Sequence, residues 1–100
     1  MIALNAIFRA TDGSGDAMAA ALEEMARHVE ADEPGTIGFF VARDREDPLR
    51  FVTYERFTDI AAMDAHNTSA YRDAWIARHG DLFAGHLVRY ICDEISTISR

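Results

Sequence analysis

A chain of 100 residues, 49% hydrophobic and 27% charged, has the makeup of one globular domain rather than of a disordered, fibrous or membrane-spanning protein. Its formal net charge of -7 and the lack of any basic run argue against nucleic acid and anionic membranes as partners. All 10 basic residues are arginine, which removes Schiff-base and P-loop lysine chemistry, and the lone Cys92 removes an intrachain disulfide or a thiolate metal knuckle.

Ile2 to Ala10 is apolar at nearly every position except Asn5 and Arg9, the pattern of a strand covered on both faces. MIALNAIF lacks the basic flank and the small-residue cleavage site of a secretory signal, so a soluble cytoplasmic protein is expected. Thr11 to Gly15 is a turn cluster in which Ser14 or Asp16 can cap the next helix. That helix runs to about Ala31, with Met18, Leu22, Met25 and Val29 forming one apolar stripe.

Glu33-Pro34-Gly35 opens the stretch that carries most of the information, residues 33 to 75. Thr36 to Arg43 and Arg50 to Phe57 are strand-forming runs apolar on both faces, close enough to pair as an antiparallel hairpin around a charged loop ending in Asp47-Pro48. Thr58-Asp59 starts a short helix whose apolar side carries Met63 and His66, and Ser69 caps the next, bearing Tyr71 and Trp75. Gly80 ends that helix, Gly85 marks entry to the last strand, and His86 to Ile95 alternates as a strand should. Ile95 and Ile98 suggest an arm reaching beyond the chain's own core.

The order β-α-β-β-α-α-β is the split βαβ arrangement of a ferredoxin-like α+β fold, one domain over residues 1–100 with a four-stranded antiparallel sheet. Helices can cover only one sheet face. Since both faces read as apolar, a second copy stacked sheet to sheet is expected, giving a homodimer. A domain this small buries only about 60–65% of its unfolded surface, which an interface would improve.

Among polar residues, His66 stands out because imidazole titrates near neutrality and sits on an apolar helix side, where it can act as a base or simply join helix to sheet. Glu55 lies in an apolar strand and needs a partner; with Tyr54 and Arg56 on the opposite face, an arginine across a dimer is the expected one. Asn5 can orient a substrate hydroxyl or bond locally. Tyr71, Trp75 and Met63 can line an aromatic-accepting cleft or fill the core. Arg9 and Arg89 can meet an anion or pair with carboxylates. His28, His79 and His86 read as surface or helix-end residues. No dinucleotide loop, metal triad or Ser/His/Asp order is present, and heme and flavin have little support.

Glu33-Pro34-Gly35, Asp47-Pro48 before Arg50-Phe51, and Tyr54-Glu55-Arg56-Phe57, followed by Asp59, Ala62, His66, Ser69 and Tyr71, resemble the antibiotic biosynthesis monooxygenase family, quinol monooxygenase-like members included. The resemblance spans residues 2 to 95; Phe57 stands where many relatives carry tryptophan. It implies a dimeric α/β barrel and a cofactor-independent oxygenase acting on an electron-rich quinol- or anthrone-like aromatic. His66 would take a phenolic proton, and Asn5, Tyr71, Trp75 and Met63 would contact the substrate. Glu55 would serve as a structural or dimer ion pair. The heme-degrading branch is similar in fold, but His66 falls where that branch has tryptophan and Ile76 where it has the axial histidine. An isomerase of a small hydroxylated or phosphorylated carbonyl compound and a non-catalytic ligand-binding dimer are the alternatives. An open polar cleft would favour the isomerase, and a closed aromatic one the oxygenase.

Overall fold

In a computed structural model describing residues 1–100, the elements are β1 (Ile2–Ala10), α1 (Gly15–Asp32), β2 (Thr36–Arg43), β3 (Arg50–Phe57), α2 (Ile60–Asn67), α3 (Ala70–His79) and β4 (Phe83–Asp93). A 3-10 turn, Gly80–Leu82, joins α3 to β4. The strands form one antiparallel sheet in the order β2-β3-β1-β4, so the ferredoxin-like α+β architecture is as the sequence implies. Alternation along the strands divides the residues between its faces. Leu4, Ala6, Phe8 and Ala10 of β1 and Phe51 and Phe57 of β3 join Met18, Leu22, Met25 and Val29 of α1 in the core, with Met63 of α2 and Trp75 of α3 closing it.

The opposite sheet face carries Ile7, Phe40, Val52, Tyr54, Val88 and Tyr90, all exposed in the single chain. Part of that face is crossed by the chain end. Glu94 accepts hydrogen bonds from Tyr54 Oη at 2.7 Å and Arg56 Nε at 2.9 Å, while Ile95 and Ile98 beyond it stay in solvent.

Two local expectations need correction. Ser14 occupies the position before α1, but its hydroxyl accepts a hydrogen bond from Thr11 at 2.8 Å and makes no cap, while Asp16 pairs with Arg43. Gly85 is not the entry to β4; the strand begins at Phe83, and Gly85 lies inside it with φ of 68°. There β1 and β4 shift register, Ile7 pairing with Val88 but Arg9 with Ala84. An alternation rule cannot see such a bulge, which glycine permits because it lacks Cβ.

Candidate functional site

The site starts where α1 ends. The Glu33 backbone N–H bonds back to Val29 O, closing the helix, and Pro34 prevents its continuation. Gly35 then lets α2 come close: a Cβ there would lie 2.8 Å from Ala62 Cβ. Asp59 accepts from Ala62 N at 2.8 Å, capping α2 and setting its rotation. With that phase, Met63 and His66, three residues apart, both turn inward and are buried. The helix breaks at Thr68, and Ser69 Oγ accepts from Arg72 N at 3.0 Å to start α3, as expected.

His66 lies between two carboxylates. Its Nδ1 is 2.6 Å from Glu33 Oε1, and its Nε2 is 3.2 Å from Glu55 Oε1. The second oxygen of Glu55 accepts from Thr53 Oγ1 at 2.8 Å, and Glu33 Oε1 also accepts from Thr36 Oγ1 at 3.0 Å. Phe57 and Phe39 flank the ring, their centroids 5.6 and 5.9 Å away. Burial alone would pull the imidazolium below its ordinary value of 6.5, but hydrogen bonds and charge from Glu55 and Glu33 outweigh it, and the net shift is upward. The polar chain runs on outward. Glu33 Oε2 is 3.4 Å from His28 Nε2, and His28 Nδ1 is 3.2 Å from Asp32. The His28 ring stacks on Tyr71 with centroids 3.6 Å apart.

His66 is also a partition between two hollows. An inner cavity of about 110 Å³ lies between sheet and helices, walled by Leu22, Phe39, Trp75 and Phe83, with Glu55 and His66 on one side and Arg72 and Arg89 among its lining. An outer cleft of about 390 Å³ is polar, with His28, Glu33, Thr36, Ser69 and Tyr71 around it. No three His, Cys, Asp or Glu side chains converge in a way that could hold a metal ion.

The residues singled out from sequence therefore separate. Trp75 reaches the inner cavity, its Nε1–H donating to Ala21 O at 2.8 Å, whereas Tyr71 faces the outer cleft and donates to Glu24 O at 3.3 Å. Met63 is packed in the core. Asn5 lies on the other face of the sheet beside Cys92, its Nδ2 3.9 Å from Sγ, and is not brought to His66. Arg9 pairs with Asp47 rather than facing a site. Glu55 finds a partner within the chain, in His66. His28 is part of the site and no mere helix-end residue. Glu33, Thr53, Asn67 and Arg72 were not singled out. Thr53 was legible, since it shares a strand face with Glu55, but Glu33 reads from sequence as turn chemistry alone.

A four-stranded antiparallel sheet with helices on one face, and a buried histidine where they meet, defines a small ferredoxin-like α+β domain with its hollows at the sheet–helix joint. The chain belongs to the antibiotic biosynthesis monooxygenase family, whose sequence profile matches residues 1–78. A proposed antibiotic biosynthesis monooxygenase of Nitrosomonas europaea superposes with a TM-score of 0.85 at 22% identity, over 96% of this chain and 100% of that one. A second, from Caulobacter crescentus, gives 0.88 at 21% over 95% and 90%. A Shewanella oneidensis protein gives 0.79 at 27% over 91% and 89%. No curated protein matches the sequence. No helix is long and apolar enough to cross a membrane.

Proposed function

We propose that this chain is a cofactor-independent monooxygenase whose substrate is a single-ring, electron-rich phenol or quinol bound in the inner cavity. The observation that carries this reading is the placement of the Glu33–His66–Glu55 corner against an apolar hollow, in a member of this family. An apolar cavity of about 150 Å³ accepts one benzene ring, and the inner hollow, about 110 Å³ and open on one side, is of the order that one ring needs.

The phenolic proton passes to the carboxylate–imidazole corner, and the electron-rich anion left behind is what reduces oxygen. The balance closes without a cofactor: a quinol plus O2 gives a hydroxyquinone plus water, with every electron supplied by the ring. Trp75 and Phe39, which wall the hollow, hold the ring flat. Arg72 and Arg89 supply positive charge near it.

The working unit in this reading is a homodimer joined through the open sheet faces, supported by the exposed Phe40, Val52, Val88 and Tyr90 on that side. Asn5 would then lie in the joint rather than at the substrate.

The test is oxygen uptake with a panel of hydroquinones and anthrones. Uptake with single-ring quinols, lost in His66→Ala, is expected; equal rates in the two proteins would remove His66 from the mechanism. The outer cleft favours a second reading. Wider and polar, it suits a small hydroxylated carbonyl compound, and isomerisation there would proceed with no oxygen consumed.

A further inference from the structure

We propose that Glu55 is the group that accepts the substrate's proton, and that Glu33 is a positioning residue acting on it through His66. The inference rests on the reading that a phenolic substrate occupies the inner cavity, and it assigns the atoms of that site.

A general base must offer a bare lone pair within hydrogen-bond reach of the proton it takes. His66 offers none, because Glu33 stands 2.6 Å from Nδ1 and Glu55 3.2 Å from Nε2. Glu55 is differently placed. A carboxylate has about four acceptor sites; Thr53 takes one on Oε2, His66 faces Oε1, and the side chain lines the inner cavity. Glu33 lines the outer cleft, on the far side of the His66 ring, and so acts on the inner cavity only through that ring. The charged groups around the corner are His28 and Asp32 of α1, Glu33 at its end, Glu55 of β3, Arg72 of α3 and Arg89 of β4.

In the step, the substrate O–H bond breaks, the proton moves to a Glu55 oxygen, and the electron pair stays on the substrate oxygen. His66 keeps its protons and nothing is oxidised. The imidazolium, held between Glu33 and Glu55 before the charge develops, and the two arginines of the lining then offset the phenolate charge. Glu33 contributes by holding the imidazolium charged and oriented.

The test needs no oxygen. 4-Nitrophenol is bound to the full chain under anaerobic conditions, with phenolate read from visible absorbance and protonated carboxyl from infrared difference spectra. Wild type is expected to give phenolate together with a new protonated-carboxyl band, and that band should shift when the protein is labelled with 13C-glutamate. The band should vanish in Glu55→Gln and survive in Glu33→Gln. In Glu33→Gln the pH at which phenolate appears should rise, and Glu33→Asp should restore it. Labelling identifies a glutamate acceptor even if Glu55→Gln does not fold. Phenolate without a carboxyl band, a band that persists in Glu55→Gln, a phenol bound in neutral form, or no binding would each overturn the assignment. Oxygen uptake is scored separately. A protein that makes this transfer but consumes no oxygen contradicts the oxygenase reading and leaves Glu55 in place, whereas uptake without the band overturns Glu55 alone.

Discussion

Nδ1 of His66 and Oε1 of Glu33 lie 2.6 Å apart, and this contact draws the end of α1 and the end of α2 onto one buried proton. The ring's value is raised above 6.5 despite its burial, so the folded chain binds that proton more tightly than the unfolded chain does. By linkage, the stabilisation is fully present below 6.5 and is lost as pH rises through the higher folded value. The difference in unfolding free energy between wild type and His66→Gln, from urea titrations, should therefore shrink as pH increases over that range. A difference that grows with pH would contradict a charged His66.

Taking away either carboxylate leaves the imidazole with one partner. Glu33→Gln and Glu55→Gln should each destabilise the fold by about 1–3 kcal/mol, since the amide keeps the shape but loses the charge-assisted bond. A double-mutant cycle between Glu33→Gln and His66→Gln should show coupling of about 0.5–3 kcal/mol. Additive effects would mean that the contact is not maintained in solution.

Gly35 and Ala62 set how closely α2 approaches the β2 end of the sheet. Gly35→Ala brings a methyl within 2.8 Å of Ala62 Cβ and should destabilise by about 1–3 kcal/mol, as overpacking does. Ala62→Gly in the same chain should recover part of that loss, despite glycine's own penalty of about 1 kcal/mol in a helix. Thermal unfolding of the two single variants and the double variant reads this directly. No recovery would place the strain elsewhere.

Much of this fold was legible because strands and helices leave periodic marks. The boundaries of β1, β2 and β3 coincide with apolar runs bounded by turn residues, and Asp59 and Ser69 act as the caps their positions suggest. What could not be read were relationships that depend on the third dimension. Glu33 looks like part of a Pro-Gly turn until α2 folds over it. Arg72 is one charge on a helix until the cavity it lines is known. The bulge at Gly85 breaks the alternation that a strand pattern assumes. Asn5 shows the limit from the other side: its place in an apolar strand is informative, but one residue of alternation decides which face it joins. The apolar character of both faces of β2 and β3 was clear, and one of those faces remains open in the single chain.

That open face provides a separate test. Val88 and Phe40 are exposed on it at 44% and 61% of their surface. Sedimentation analysis should give a dimer for the wild type and a monomer for Val88→Asp, because a charge in a face-to-face sheet packing would be buried unpaired. A wild-type monomer at micromolar concentration would contradict the sheet-face dimer.

The most direct test of the whole account is oxygen consumption by the purified protein with a single-ring hydroquinone, without added metal or flavin and with the product identified. The expected result is one oxygen molecule consumed per hydroxyquinone formed, with the rate falling at least about a hundredfold in Glu55→Gln, the scale of a lost general base. Turnover of a substrate with no oxygen consumed, or a rate unchanged in Glu55→Gln, would contradict it.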